Sequence, residues 1–265
     1  MPARSSYDIV VIGGGVGGST AARILAEKGF NVLLVEEGLI GGECLNYGCV
    51  PFKTLYKLVE ATHTVTLYTP TRSQGAPGFG EALERARSIT DELRRLLASD
   101  LEGLGVEVAK GRGWVCGPHE ACIEPPSAPR VRVGFRKLIV ATGSEPLIPR
   151  GIIVDEERVV TNRGFLGLNG LPERLIVVGG GAVGVEAASI AAGFGSRVIL
   201  VEALREILPF MDRSVSRRLR LLLGKRGVGF RLGKRVSGVA AQGDFVDVVL
   251  EDGSRLEADA ALIAI

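Results

Sequence analysis

An internal duplication limits the fold of this chain more than any other feature of its sequence. The segment Val10–Glu36, VVIGGGVGGSTAARILAEKGFNVLLVE, aligns without a gap with Ile176–Glu202, IVVGGGAVGVEAASIAAGFGSRVILVE. About half of the aligned positions are identical, which indicates a repeated structural unit. Each copy predicts a strand of branched residues, a glycine-rich turn, an alanine-rich helix, a second strand and a terminal glutamate. The chain therefore contains two predicted βαβ units with parallel strands.

Each copy carries glycine at three positions that have separate tasks. The first allows a tight turn, the second lets a pyrophosphate approach the backbone, and the third lets the helix pack closely on the strand. These residues are Gly13, Gly15 and Gly18 in the first copy and Gly179, Gly181 and Gly184 in the second. The helix N-terminus favours phosphate groups, and the final glutamate, Glu36 or Glu202, can accept hydrogen bonds from both hydroxyls of an adenosine ribose. One such motif is weak evidence, but two in register predict two bound dinucleotides.

Charge and hydropathy exclude several classes of partner. The 32 Lys and Arg residues nearly balance the 30 Asp and Glu residues, so no excess charge indicates a nucleic-acid or membrane partner. No uninterrupted apolar stretch is long enough to span a membrane, and Met1 to Asp8 does not resemble an export signal. We therefore expect a soluble, cytoplasmic protein. Because the chain ends on the apolar run ALIAI, we also expect further sequence to follow it.

Outside the repeats, hydrophobic periodicity predicts further helices and strands. Helices are expected over about 49–68, Glu81–Gly103 and Val215–Gly224, and a loop over Thr69–Gly80. Predicted strands are Val106–Ala109, Trp114–Glu124 with Arg130–Phe135 as an antiparallel ribbon, Lys137–Thr142, Val228–Phe230, Arg235–Val239, Phe245–Glu251 and Ala260–Ile265, with a hairpin turn at Asp252 and Gly253. The predicted fold class is α/β, with two Rossmann-like domains that each carry a small antiparallel ribbon or meander.

Two of the four cysteines, Cys44 and Cys49, lie close together among glycines, which favours a redox or metal role over a structural disulfide. No second pair of ligands has a spacing typical of zinc, so we predict no metal site. If the two form a disulfide, they cannot lie on one regular helix, because positions i and i+5 are about 8 to 9 Å apart. Asn46 and Gly48 would let the intervening turn distort. The other two cysteines, Cys116 and Cys122, are interpreted as reduced, partly buried thiols.

The segment GGECLNYGCVPFK at 41–53 lies between the two glycine motifs, and ATGSEP follows at 141–146. With these motifs the whole chain resembles the FAD-dependent pyridine nucleotide-disulfide oxidoreductases of the dihydrolipoamide dehydrogenase, glutathione reductase and mercuric reductase type. The resemblance implies FAD in a first domain, residues 1–149, and a nicotinamide cofactor in a second, residues 150–265. It also implies a homodimer, formed in the family by a C-terminal domain that these residues do not contain.

The resemblance implies a role for individual residues. Cys49 would be the thiolate against the flavin, Cys44 the thiol that exchanges with substrate, and Lys53 a flavin neighbour paired with Glu186. The residues implied to contact FAD are Gly13, Gly15, Gly18, Glu36, Glu37, Gly42, Lys53, Gly113, Thr142 and Gly143, and those implied to contact the nicotinamide cofactor are Gly179, Gly181, Gly184, Glu202 and Val236. Phe52 replaces a common family serine and is expected to place a ring near the flavin edge.

The implied activity is electron transfer between NADH, FAD and a Cys44–Cys49 disulfide, to or from a dithiol or disulfide substrate, as in dihydrolipoamide dehydrogenase. NAD is favoured over NADP because Glu202 would repel a 2′-phosphate. A mercuric reductase-like or other disulfide reductase is one alternative. A truncated nucleotide-binding module without full activity is another, because the family's later Gly-Asp segment and its His-Glu base do not occur in these residues.

Overall fold

The computed structural model describes residues 2–68 and 77–265. They form two compact units. The first unit consists of residues 2–50 and 87–144, and the second of residues 51–68, 77–86 and 145–265. The two units are groups of residues that pack together, whereas the predicted domains were defined by the two sequence repeats. The predicted domain boundary between residues 149 and 150 therefore stays a prediction.

The first unit is built on one mixed sheet with the strand order β3-β2-β1-β6-β5-β4. Strands β3, β2, β1 and β6 are parallel, and β6, β5 and β4 are antiparallel. Successive residues of β1 enter core clusters on opposite faces, as expected for a strand covered on both sides. The elements are β1 Ser6–Ile12, α1 Val16–Glu27, β2 Val32–Glu36, α2 Gly42–Asn46, α3 Cys49–Tyr68, α4 Phe79–Gly103, β3 Glu107–Lys110, β4 Arg112–Gly117, β5 Glu120–Glu124 and β6 Val131–Val140. Helices α3 and α4 contribute residues to both units.

The second unit contains a parallel sheet and a separate antiparallel meander. The parallel sheet has the order β10-β9-β8-β14-β7, and the meander has the order β11-β12-β13. Helix α6 is largely apolar, and its middle, from Gly184 to Ala191, is buried in the core of this unit apart from the half-buried Glu186. The elements are β7 Val159–Val160, α5 Asn162–Phe165, β8 Arg174–Val178, α6 Ala182–Gly193, β9 Arg197–Glu202, α7 Arg213–Lys225, β10 Gly229–Leu232, β11 Val236–Gln242, β12 Phe245–Leu250, β13 Arg255–Ala258 and β14 Ala260–Ile263.

The α/β prediction is confirmed, and most predicted elements occur within a few residues of their expected bounds. The predicted run Trp114–Glu124 is divided into the hairpin strands β4 and β5, and the short elements α2, β7, α5 and β13 were not predicted. Strand β6 joins the predicted strands Arg130–Phe135 and Lys137–Thr142 into one strand. Its first half pairs with β5 in antiparallel fashion and its second half pairs with β1 in parallel. Residues 69–76 of the predicted loop lie outside the described residues. Among the described residues, no helix has both the length and the apolar character needed to cross a membrane.

The prediction for Cys116 and Cys122 is wrong, because the two are joined by a disulfide with their Cα atoms 5.8 Å apart. The cause is the register of the β4–β5 hairpin. Cys122 pairs with Trp114, and the register shifts between Val115 and Gly117, which brings Cys116 within bridging range of Cys122. The pairing depends on this shift, and spacing along the sequence does not reveal it.

Tyr7 ties β1 to the outer strand β3. It is 3% exposed, and its hydroxyl donates a hydrogen bond to Glu107 Oε2 at 2.6 Å. Burial, together with this bond, raises the pKa of Tyr7 to about 12. Because the folded state holds this proton more tightly than the unfolded chain, the stabilisation is fully present below about pH 10, the pKa of an unfolded tyrosine, and is lost as pH rises through about 12.

We predict that Tyr7→Phe lowers the free energy of unfolding by about 1 to 2 kcal/mol at neutral pH, through loss of a bond to a charged acceptor. The wild type should also lose more stability than the variant between about pH 10 and 12. Urea denaturation at a series of pH values measures both effects. Tyr68→Phe, at an exposed position, is the matched control. Parallel curves for wild type and Tyr7→Phe would contradict the assignment.

Candidate functional site

Backbone atoms of neighbouring segments lie directly against Gly13, the first residue of the first glycine-rich turn. Gly13 has φ +102°, and a Cβ there would lie 2.2 Å from the carbonyl oxygen of Ala141. Its N–H donates to the carbonyl of Val35 at 2.8 Å, which joins the turn to the end of β2. Since an L side chain fits neither this conformation nor this space, only glycine satisfies the position.

Helix α1 approaches the turn too closely for any side chain. A Cβ at Gly18 would lie 1.8 Å from the carbonyl oxygen of Gly13. Gly15 is the N-cap residue in extended conformation and has no side chain to occupy the helix end. The first backbone N–H groups of α1 therefore lie beside an open space at the mouth of the turn, which is the arrangement that binds a pyrophosphate.

The second copy repeats this geometry in the second unit. Gly179 has φ +114°, and a Cβ there would lie 2.3 Å from the carbonyl oxygen of Ala264. A Cβ at Gly184 would lie 2.0 Å from the carbonyl oxygen of Gly179, and Gly181 is an extended N-cap. Both turns thus fit a dinucleotide by the same steric criterion.

The two glutamates are held in the same way in each unit. Glu36 accepts hydrogen bonds from the backbone N–H groups of Gly14 at 2.6 Å and Gly38 at 2.5 Å. Glu202 accepts from Gly180 at 2.6 Å and Leu204 at 2.7 Å. These bonds fix each carboxylate beside its glycine turn and use one acceptor site on each oxygen. The remaining acceptor sites are suited to the hydroxyls of a ribose.

Of the other FAD contacts predicted in the first unit, Glu37, Thr142 and Gly143 are exposed and Gly113 is half-buried. Thr142 and Gly143 directly follow Ala141, whose carbonyl faces Gly13, and Gly143 has φ +74°. Gly113 on β4 packs against Val35, where a Cβ would come within 3.0 Å of that side chain. Glu37 is exposed after the end of β2.

The cysteine segment begins at this same turn. The N–H of Gly41 donates to the carbonyl of Gly14 at 2.8 Å. A Cβ at Gly42 would lie 2.6 Å from Gly15 Cα, so this contact also requires glycine. Because α2 starts at Gly42, Cys44 lies in the first turn of that helix, two residues after this contact.

The two cysteines lie on different helices, as the disulfide geometry requires. Cys44 is on α2 and Cys49 begins α3. The break falls at Tyr47, which leaves helical conformation with φ −134°, and at Gly48, where a Cβ would come within 3.2 Å of the carbonyl oxygen of Glu43. Both side chains are thiols, with Cys44 half-buried and Cys49 exposed.

Asn46 has a role that the sequence did not predict. It remains in helical conformation on α2, so it does not provide the distortion expected of it. Its Nδ2 atom donates to the carbonyl oxygens of Leu39, Ile40 and Gly42 at 3.2, 3.1 and 2.9 Å. Its Oδ1 atom accepts a hydrogen bond from Arg94 on α4 at 3.0 Å. This buried amide fixes the loop that seats α2 on the glycine turn.

The predicted Lys53–Glu186 pair is present in the second unit. Lys53 Nζ lies 3.5 Å from Glu186 Oε1, with the lysine side chain 66% exposed. Lys53 follows Cys49 by four residues on α3. The pair is exposed, so it serves to orient the ammonium group more than to stabilise the fold.

The expectation for Phe52 is wrong. Phe52 is 2% exposed and packs in the core of the second unit, with its ring centroid 5.7 Å from that of Phe165. On α3 it points to the side that the core covers, and an apolar ring is stabilised there. Serine at this position would leave that space unfilled.

Val236 and the metal prediction complete the set of predicted sites. Val236 begins β11 and is partly buried against the core beneath the meander. The residues just before it reach the end of β9, where Lys234 N–H donates to the carbonyl of Glu202 at 3.0 Å. Within the described ranges, no group of three or more His, Cys, Asp or Glu side chains is arranged to hold a metal ion.

The chain is similar in sequence and structure to known proteins. Residues 7–265 match the family described as pyridine nucleotide-disulphide oxidoreductase. A dihydrolipoamide dehydrogenase from Chaetomium thermophilum is 33% identical over 273 residues, covering 99% of this chain and 54% of that protein. LpdA from Mycobacterium tuberculosis has a TM-score of 0.90 at 27% identity, covering 97% of this chain and 58% of that one. The HOCl-induced flavoprotein disulfide reductase RclA from Escherichia coli has a TM-score of 0.81 at 29% identity, covering 97% and 56%.

We predict that Gly18→Ala weakens FAD binding, whereas Gly17→Ala, at the neighbouring residue, leaves FAD binding unchanged and stabilises the helix. The Gly18 variant must push α1 away from the turn, at a cost of about 1 to 3 kcal/mol, which corresponds to roughly ten- to a hundredfold weaker FAD binding. A Cβ at the exposed Gly17 has no atom within 4 Å, so that variant should retain FAD and gain about 0.5 to 1 kcal/mol of helix stability. FAD titration and thermal unfolding measure both. Equal FAD affinities would contradict the packing argument.

Proposed function

The chain belongs to the pyridine nucleotide-disulphide oxidoreductase family, and on that premise we propose that it passes electrons between NADH, FAD and the pair Cys44–Cys49, to or from a dithiol or disulfide substrate. The observation that carries this proposal is the contact between Gly42 and Gly15, which starts the cysteine helix α2 on the first glycine turn. In this proposal residues 1–149 form the FAD-binding domain and residues 150–265 the NAD-binding domain.

The proposed exchange uses the two thiols in different roles. FAD, when bound, supplies the two-electron link between a nicotinamide and a disulfide. Cys44 attacks one sulfur of the substrate disulfide, Cys49 displaces the substrate from Cys44, and the substrate leaves as a dithiol while Cys44 and Cys49 become a disulfide. Two electrons and two protons then restore the thiols. The helix break at Tyr47 and Gly48 supports this cycle, because it frees the pair from the spacing of one regular helix.

The hydrogen bonds of the second unit support NAD over NADP. Glu202 is fixed by Gly180 and Leu204 at the end of β9, where the ribose of a nucleotide on this turn would lie. A carboxylate there accepts hydrogen bonds from a free 2′-hydroxyl and repels a 2′-phosphate. Arg205, the nearby cation, is exposed.

The length of the chain, compared with that of its relatives, determines how much of their activity can be proposed for it. It spans about half the length of the curated relatives that it matches. We propose a dithiol or disulfide substrate of the lipoyl type and the homodimer of the family, with the cytoplasm as its location. A disulfide reductase with another substrate would use the same residues of this chain. The two functions are distinguished by oxidised lipoamide, which reoxidises the reduced protein only if the substrate is of the lipoyl type.

We predict that Glu202→Arg reverses the preference between NADH and NADPH, because it replaces repulsion of the 2′-phosphate with attraction. Binding titrations of the two nucleotides, each followed by NAD(P)H fluorescence, measure the ratio without requiring turnover. Glu173→Arg makes the same change of charge at an exposed position and is the control. An unchanged ratio in the Glu202 variant would remove this residue from the specificity site.

We predict that Cys44→Ser abolishes exchange with oxidised lipoamide while the protein retains FAD and a yellow colour. The native chain, reduced anaerobically with NADH, should show a long-wavelength absorption band and gain the thiols of Cys44 and Cys49, measured with a thiol reagent. The Cys44→Ser variant should exchange no disulfide, and Gly48→Ala, which alters the break between the cysteines, should weaken the exchange. Colourless native protein would support a nucleotide-binding module without catalysis. A variant that still reduces lipoamide would refute the assigned roles.

A further inference from the structure

We propose that Cys116 and Cys122 form a second thiol–disulfide site on the β4–β5 hairpin, which small dithiols reduce and small cyclic disulfides reoxidise in the folded protein. This inference concerns cysteines that the electron transfer proposed above does not use, and it stands whether or not that proposal holds. It rests on the position of the disulfide in the sheet and on the different solvent exposure of Cys116 and Cys122.

The bond lies on the face of the sheet opposite the core cluster that contains Ala121, Ile123 and Val133, although Cys122 is itself buried. Residues directly opposite each other on neighbouring strands share a face. Ala121, Ile123 and Val133 enter a core cluster, whereas Cys122 pairs with Trp114 on one side and Arg132 on the other. Cys122 belongs to the opposite face, so opening the bond leaves the core of the unit filled.

The hairpin has enough backbone pairing to remain folded without the bond. Strand β5 pairs with β4 on one edge and with β6 on the other. The bond joins residues only six apart, so it closes a short loop and limits the unfolded chain less than a long-range disulfide would. Strand β4 is additionally fixed at its start, where the N–H of Gly111 donates to the carbonyl of Glu36 at 2.9 Å. Reduction therefore does not require unfolding.

The two sulfurs differ in access. Cys122 is 2% exposed, whereas Cys116 is half-buried on the outermost strand, at the point where the register shifts. A thiolate of an incoming dithiol attacks Cys116, the S–S bond breaks, and Cys122 leaves as a thiolate that takes up a proton. The second thiol of the reagent then displaces Cys116. The dithiol is oxidised to its cyclic disulfide, and both cysteines become thiols.

Trp114 provides a built-in probe of this site. It is the sole tryptophan of the chain. It lies directly opposite Cys122, a position that places the two Cβ atoms roughly 5 Å apart. The guanidinium of Arg130 covers its ring at 4.7 Å, which fixes the indole in place. Because a neighbouring disulfide quenches indole fluorescence by accepting an electron, opening the bond should raise the emission.

The test uses a Cys44→Ser/Cys49→Ser chain, in which Cys116 and Cys122 are the only cysteines left. Without reductant, an alkylating reagent should label neither cysteine. After dithiothreitol under native conditions it should label both, tryptophan emission should rise, and circular dichroism should be unchanged. Oxidised dithiothreitol should restore the unlabelled, quenched state. Labelling before any reductant, labelling only in denaturant, or failure to reoxidise would each overturn the proposal.

A matched pair of variants tests the direction of attack. In the same background, adding Cys122→Ser leaves Cys116 alone, and adding Cys116→Ser leaves Cys122 alone. Under native conditions, the variant that keeps only Cys116 should be alkylated several-fold faster than the variant that keeps only Cys122. In denaturant the two rates should become equal. Equal rates in the folded chains, with unchanged circular dichroism, would overturn the assignment of Cys116 as the attacked sulfur.

Discussion

The close approach of a helix to the turn that precedes it is the constraint on which the two binding turns depend. In each copy a glycine at the third motif position brings α1 or α6 so near that a Cβ would lie 2.0 Å or less from a carbonyl oxygen of the turn. This contact positions the helix N-terminus at the mouth of the turn. The residue that follows strand β6 or β14 contacts the turn as well, Ala141 in the first unit and Ala264 in the second. Three segments of chain therefore meet at the place where a pyrophosphate would bind.

The two copies share this geometry and differ in the segment that leaves the turn. In the first, Gly41 has φ +95° and its N–H donates to the carbonyl of Gly14 at 2.8 Å. In the second, Leu208 has φ +49° and its N–H donates to the carbonyl of Gly180 at 2.8 Å. The same bond in a left-handed conformation thus closes both turns. Only the first copy continues into a helix that carries thiols, because Gly42 lets that helix start in contact with the turn.

The sequence allowed local features to be predicted, because they depend on residues close together along the chain. The glycine turns, the glutamates and the break between Cys44 and Cys49 follow from backbone limits on glycine and on helix spacing. Phe52, Asn46 and the Cys116–Cys122 bond could not be predicted in this way. Each depends on a residue far along the chain or on a strand register: Phe52 contacts Phe165, Asn46 bonds Arg94, and Cys116 is placed by a register shift. Even so, a side-chain amide between Cys44 and Cys49, four residues after Gly42, was a signal that Asn46 holds the segment in place.

The two cysteine pairs of the first unit show that secondary structure determines whether two nearby cysteines can form a disulfide. On helices, five residues of separation hold two thiols too far apart for a bond, so Cys44 and Cys49 can form one only across the break at Tyr47 and Gly48. On the β4–β5 hairpin, the register shift between Val115 and Gly117 brings Cys116 within 5.8 Å of Cys122, measured between Cα atoms, although the residue directly opposite Cys122 is Trp114. The helix break therefore removes the regular spacing that would keep the first pair apart. The second pair is held together by the register of the sheet and lies on the face opposite the core cluster of Ala121 and Ile123, so the reversible opening proposed for it would leave the turn geometry at Gly13 and Gly18 unchanged.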